Sequence, residues 1–132
     1  MSSKPLTIGS VINCVDNSGA KKIKIIGVLG LQGTKNRNLS CGIGNEVICT
    51  VTKGLYKLMK TVQYGLIIRQ KVPYERKDGQ LVGKVRFTEN AGILLNKKVR
   101  GLVLKENTIV KGPIAKEVRM ISKYADLKGQ YK

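Results

Sequence analysis

Apolar and polar positions alternate through the first half of the chain. Val47, Cys49 and Val51 interleave with Glu46, Ile48, Thr50 and Thr52, the period-two pattern of a half-buried strand. Lys22 to Leu29 predicts another strand, with Ile23, Ile25 and Val28 inward and Lys22 and Lys24 outward. An earlier strand is expected over Ile8 to Val15, closed by Asp16-Asn17-Ser18-Gly19. In such a turn Asp and Asn bond to the backbone and Gly supplies a positive φ. Gly30 to Gly44 is polar and punctuated by glycine, which predicts an exposed loop.

Between Leu66 and Leu95, Asp78-Gly79 is a hairpin turn signal. With those residues as the loop, Lys71 faces Arg86, Val72 faces Val85 and Gln70 faces Phe87. Arg69, Lys71, Lys84 and Arg86 then share one face, and Val72, Val85 and Phe87 the other. Like charges opposed across a ribbon destabilise it unless something anionic lies on them. After Gly112-Pro113 the apolar spacing turns helical: Ile114, Val118, Ile121 and Ala125 recur, Pro113 suits the first helical position, and Gly129 is a stop. That stripe is expected to face the core.

The pattern as a whole predicts a mainly β fold, a small β-barrel with a short C-terminal helical segment. Closure into a barrel removes the sheet edges that invite aggregation. No repeat or linker divides the chain, so one domain is expected over residues 1–132, with barrel and ribbon over about 6–111 and a helical part over about 112–128.

Composition turns this scaffold toward a partner. Lys and Arg outnumber Asp and Glu by 25 to 8, a formal net charge of +17, and histidine is absent. A compact body with that much like charge repels itself and is stabilised by a polyanion. Nucleic acid is the commonest such partner, because each neutralised phosphate also releases condensed counterions. Without histidine the usual proton carrier and commonest metal ligand are missing. Cys14, Cys41 and Cys49 are scattered, with no Cys-x-x-Cys pair, and are expected to be buried, reduced and structural. The start lacks the apolar stretch of a signal peptide and no run is long enough to span a bilayer, so a cytoplasmic location is expected.

Catalytic machinery is not found. Ser-His and Cys-His nucleophile pairs cannot form, Glu75 and Asp78 sit amid Arg76 and Lys77, and no Walker-type motif occurs. No enzymatic activity, cofactor or metal site is expected. The candidate site is instead a set of basic clusters in turns and strand ends: Lys21-Lys22, Lys35 and Arg37, Lys53 with Lys57 and Lys60, Arg76-Lys77, and Lys97-Lys98 with Arg100. The ribbon adds Arg69, Lys71, Lys84 and Arg86. Aromatics are few, so recognition through phosphates, sugars and shape is expected rather than through stacked bases. A free RNA-binding factor with exposed aromatics, or an RNA-modifying enzyme with a perturbed acid or base, stays open from the residues alone.

Longer motifs narrow the choice. Val11-Ile12-Asn13-Cys14-Val15-Asp16-Asn17-Ser18-Gly19-Ala20-Lys21 and Gly42-Ile43-Gly44-Asn45-Glu46-Val47 resemble a universal large-subunit ribosomal protein family. It is family fourteen, numbered twenty-three in the older eukaryotic scheme. The resemblance continues through Ile67-Ile68-Arg69, Arg76-Lys77-Asp78-Gly79 and Phe87-Thr88-Glu89-Asn90-Ala91-Gly92. Leu95-Asn96-Lys97 and Gly112-Pro113-Ile114-Ala115-Lys116-Glu117 complete it, so that it covers about Ile8 to Val118. It implies a five-stranded β-barrel with a protruding ribbon and a short C-terminal helical part. It also implies binding to large-subunit rRNA on the face that meets the small subunit, with inter-subunit bridges to small-subunit rRNA and contacts to neighbouring ribosomal proteins. In eukaryotic members the factor that keeps free subunits apart docks on this family, and assembly begins in the nucleolus. Carried over to this chain, Lys21, Lys22, Arg69, Arg76, Lys77 and Lys97 match basic positions of the family pattern and are expected on RNA. The spacing between Gly79 and Phe87 and the stretch from Lys98 to Lys111 are longer than the family's, and the match fades after Glu117. On this reading, reversing Arg69, Lys71 and Arg86 to Glu blocks entry into large subunits and leaves the barrel folded.

Overall fold

The structure is a computed structural model that describes residues 6–29, 40–72, 74–75, 84–85, 87–98, 101–105, 108–119, 121, 124, 127 and 130–131. In chain order the strands are β1 (Leu6–Thr7), β2 (Val11–Cys14), β3 (Ala20–Val28), β4 (Ser40–Cys41), β5 (Glu46–Gly54), β6 (Val62–Arg69), β7 (Tyr74–Glu75), β8 (Lys84–Val85), β9 (Ala91–Lys98), β10 (Gly101–Leu104), β11 (Pro113–Ile114) and β12 (Gln130–Tyr131). A 3-10 turn spans Tyr56–Leu58, and a single α-helical turn, α1, spans Lys116–Arg119. Strands β2, β3, β5, β6 and β9 close a five-stranded barrel: four antiparallel pairings run from β2 through β6 to β9, and a parallel pairing joins β9 to β2. β10 is an additional strand on β9.

The alternation in β3 and β5 has the expected result. Ile23, Ile25, Val47 and Cys49 are fully buried, while Lys22 and Lys24 are exposed. Val28 lies three residues after Ile25, which strict alternation would place on the opposite face; a register shift between Ile25 and Gly27 turns it inward. β6 and β9 read differently, as the continuous apolar runs Leu66-Ile67-Ile68 and Ile93-Leu94-Leu95. Such runs mark strands covered on both faces. Ile67 and Leu94 point into the barrel, whereas Leu66, Ile68, Ile93 and Leu95 enter a second core outside it. Ile114, Ala115, Val118, Tyr124 and Leu127 cover that second core.

The C-terminal part differs from the expected helix in form. Ile114, Val118 and Ile121 do face the core, with Ala125 and Gly129 outside the described residues, but α1 is one turn, and Pro113-Ile114 forms a strand paired with Gln130-Tyr131 instead of opening a helix. Bonds from Val118 N–H to Ala115 O, Ile121 to Val118, Tyr124 to Ile121 and Leu127 to Tyr124, at 2.9–3.2 Å, close successive tight turns. Three-residue turns stack side chains at i and i+3, which suits residues 115, 118, 121, 124 and 127 better than a 3.6-residue repeat does. The ribbon differs in register. β7 pairs with β8 through Tyr74↔Val85 and Glu75↔Lys84, two residues displaced from a pairing of Val72 with Val85. Asp78-Gly79 and Arg86 lie outside the described residues. The first strand is also split: Leu6–Thr7 pairs with Ser40–Cys41, and only Val11–Cys14 enters the barrel.

One edge of β9 is shared by two strands. β2 pairs with Ala91 and Gly92, and β10 with the stretch from Leu95 to Lys98. Leu94 falls in the gap, and its N–H is accepted by Asp16 Oδ2 at 2.8 Å. The other oxygen, Oδ1, accepts from Ser18 N–H (3.1 Å), Ser18 Oγ (2.5 Å) and Cys14 Sγ (3.3 Å). The buried Asp16 therefore closes its own turn and completes the ladder where β2 ends. Gly92 lies at the same seam, where a Cβ would stand 2.9 Å from Leu66 O and 3.1 Å from Ile12 Cδ1.

Asp16→Ala leaves the Leu94 N–H buried without an acceptor and is expected to cost about 2 kcal/mol, the penalty of an unsatisfied buried donor plus the lost turn bonds. A urea titration should show a lower midpoint with an unchanged slope; an unchanged midpoint would remove the carboxylate from the seam.

Candidate nucleic-acid interface

Lysines gather on the outer face of β3 and β5 because the apolar alternation consumes the inner one. A register shift after Ala20 leaves both Lys21 and Lys22 exposed, although they are adjacent in sequence. Lys22 lies directly opposite Lys53, and Lys24 opposite Thr50. The turn that follows β5 adds Lys57 and Lys60, both exposed. It is tied back by Leu55 N–H to Gly19 O (3.1 Å) and Lys60 N–H to Val51 O (3.0 Å). Lys24 was absent from the sequence-derived set, although its outward place in the alternation was the available signal.

No acid interrupts these cations along the chain from residue 47 to residue 74. Residues 1–74 contain only Asp16 and Glu46 as acids. Asp16 is buried in the seam, and Glu46 is half-buried beside Tyr124. Two opposed ammonium groups repel by about 1 kcal/mol at 4 Å in bulk water, so the barrel tolerates Lys22 against Lys53 in the free state. An anionic strand laid between them converts that repulsion into attraction and releases counterions.

The other predicted residues are distributed differently. Lys97 and Lys98 are exposed at the end of β9, where Lys97 Nζ lies 5.4 Å from the centre of the Tyr64 ring and 3.4 Å from its hydroxyl. Lys71 is exposed, and its N–H donates to Asn90 Oδ1 at 2.7 Å. Lys84 is placed in β8 by its backbone. Lys35, Arg37, Arg76, Lys77, Arg86 and Arg100 lie outside the described residues.

Arg69 requires a correction. It belongs to the barrel strand β6, opposite Ala91, and is only 4 % exposed. Its Nη1 pairs with Glu89 Oε1 at 2.5 Å, its Nε donates to Pro113 O at 2.5 Å, and its Nη2 donates to Lys111 O. Asn13 Nδ2 donates to the other Glu89 oxygen at 2.6 Å. Gly112 bends over the guanidinium at φ 85, where a Cβ would come within 2.7 Å of Nη2. Burial lowers the Arg69 pKa below the ordinary arginine range, and Glu89 opposes that shift. The guanidinium fastens residues 111–113 to the barrel and has no donor aimed at a surface ligand. The expected triple reversal is thus a test of folding rather than of RNA contact. Glu89 was missed by the sequence reading, which had no means of pairing it with a strand twenty residues earlier.

The three cysteines are free and buried, as expected. Burial, followed by the Asp16 charge, pushes the Cys14 and Cys49 thiols up to about 12. No group of three or more potential metal ligands occurs among the described residues, and none of their helices is long and apolar enough to cross a membrane.

A closed barrel with exposed lysines on one sheet face, and with Asp16, Glu46 and Glu89 engaged in structural contacts, defines a basic β-barrel scaffold protein. Comparison with known proteins supplies the family: the chain matches the model described as Ribosomal protein L14p/L23e over residues 6–127 and belongs to that family. It is 39 % identical over 113 residues to the large ribosomal subunit protein uL14 of Halorubrum lacusprofundi, covering 86 % of this chain and 80 % of that protein. It is 40 % identical over 112 residues to the uL14 of Haloarcula marismortui, covering 83 % and 78 %. The match runs past Glu117, where the motifs had faded, and includes the turns that cover the second core. Family membership makes the chain a structural, non-enzymatic ribosomal constituent.

Two outcomes follow. Arg69→Glu should destabilise by about 3 kcal/mol, the lower end for breaking a buried pair because Glu89 is 35 % exposed. Lys71→Glu should stay within about 0.5 kcal/mol of the parent in the same chemical denaturation. For the thiols, the folded chain holds its protons to about 12 against an ordinary 9.0. Their stabilising contribution is therefore complete below pH 9.0 and is lost as pH rises toward 12. Labelling by a thiol reagent should stay slow in the folded protein up to about pH 9 and become fast on unfolding; rapid native labelling of Cys14 or Cys49 would contradict this.

Proposed function

We propose that this chain binds large-subunit rRNA through the outer face of β3 and β5 together with the turn after β5. The observation that carries the reading is the Lys22–Lys53 opposition, flanked by Lys21, Lys24, Lys57 and Lys60 with no exposed acid between Asp16 and Glu46. Phosphates are the matching ligand, because the lysines present charge without a fixed fork geometry. The rigid barrel sets the spacing of these contacts and loses little conformational entropy on binding. The chain acts in ribosomes as a scaffold for the folded RNA.

Finer features of the reading rest on family resemblance. Lys97 and Lys98, at the opposite end of β9 from the Asp16 seam, supply a separate basic point for a neighbouring ribosomal protein or for small-subunit rRNA in a bridge. The tight-turn segment that covers the second core is a surface on which the subunit anti-association factor would dock. In a eukaryotic cell, assembly would begin in the nucleolus.

The double variant Lys22→Glu/Lys53→Glu is expected to fold with parental thermal stability or slightly above it. Its affinity for a large-subunit rRNA transcript should fall by at least about tenfold at physiological salt, with the salt slope reduced by roughly one per lost phosphate contact. On sucrose gradients the variant should be depleted from large subunits. Parental affinity and parental slope would refute this face as the RNA surface.

A further inference from the structure

Tyr56 is the most exposed large side chain of apolar character among the described residues, at 94 %. Its backbone is well anchored. Leu58 N–H donates to Leu55 O at 2.9 Å, Met59 N–H to Tyr56 O at 3.2 Å, and Thr61 Oγ1 to Leu58 O at 2.5 Å. Leu58 packs against the barrel core, and Lys60, the one non-glycine residue at positive φ among those described, turns the chain back toward Val51. A ring presented to water from so constrained a turn can meet a partner with little further loss of backbone entropy.

The surroundings indicate which partner. Lys53, Lys57 and Lys60 are exposed and flank the ring in sequence, and no acid occurs from residue 47 to residue 74. Cations around a bare aromatic face suit a nucleotide, whose phosphate meets the amine while its base covers the ring. We propose that Tyr56 is a stacking residue that takes one unpaired nucleobase of the bound rRNA, with the phosphates on either side held by Lys53, Lys57 and Lys60. The inference rests on the rRNA-binding reading and extends it. The sequence had pointed to recognition without stacked bases because aromatics are scarce. The structure spends one of the five tyrosines on the basic face.

The test uses the full chain and a large-subunit rRNA transcript. Tyr56→Ala should lower affinity on the order of tenfold with an unchanged salt slope, because a π face is lost and no charge is removed. Tyr56→Phe should stay within about twofold of the parent. The chain has no tryptophan, so Tyr56→Trp introduces a single reporter whose fluorescence should be quenched by the stacked base. For a fully paired duplex RNA, parent and Tyr56→Ala should bind alike. Parental rRNA affinity in Tyr56→Ala, or an unquenched Trp in a bound complex, overturns the proposal. So does a Tyr56→Ala protein that binds rRNA normally yet fails to enter subunits, since the ring would then meet a protein neighbour. Lys22→Glu/Lys53→Glu in the same assay separates the two readings. Weakening by that variant alone removes only the stacking role, whereas no weakening by either removes the rRNA reading and the stacking role with it.

Discussion

Over residues 91–95, strand β9 is buried on both faces and bonded along both edges, and the rest of the molecule is arranged around that constraint. On one edge it pairs with β6; on the other it is shared between β2 and β10. Leu94 points into the barrel while Ile93 and Leu95 point out of it. Two hydrophobic cores thus meet across β9 and its neighbour β6, and the barrel closes only if the buried amides of these strands find acceptors. Asp16 supplies the acceptor where two strands leave a gap. A water molecule could do the same chemistry, but a carboxylate delivered by the turn also fixes where β2 ends. Gly92 admits the close approach of the Leu66 carbonyl on β6 and of the Ile12 side chain on β2.

The same economy governs charge. Asp16 serves the seam, Glu89 joins Arg69 to Asn13, and Glu46 sits beside Tyr124. Each of these acids does internal work, so none is left on the sheet face to neutralise lysines. The net charge of +17 is therefore more than a bulk property. On the outer face of β3 and β5 it includes two cations placed directly opposite one another, Lys22 and Lys53. Self-repulsion of this kind is mild in water and would be relieved by a polyanion, so the internal contacts of the acids leave these lysines uncompensated.

Much of this could be read from the chain. The alternation in β3 and β5 sorts Ile23, Ile25, Val47 and Cys49 inward and the lysines outward, because a strand offers only two faces. The cysteines lie among apolar neighbours and are buried and free. The basic clusters were visible as clusters. Arg69 was misplaced because an arginine between strands and a basic ribbon is exposed by default, and only a half-buried carboxylate with two backbone carbonyls reverses that default. None of those partners is within nineteen residues of it in sequence. The ribbon register slipped by two for a related reason, since a turn signal locates a hairpin but side-chain packing decides which residues face each other.

The class of fold, the inward and outward residues of β5 and most of those of β3, and the excess of positive charge are legible in the chain alone. These depend on periodicity and net charge, which are local or additive. The tertiary structure alone decided that Arg69 is a clamp, that Asp16 completes a ladder, that Lys22 opposes Lys53, and that the C-terminal stripe is laid down as tight turns. Each of these depends on which distant backbone groups are brought within hydrogen-bonding range. That information resides in barrel closure, where residues 78 positions apart come to share one bond.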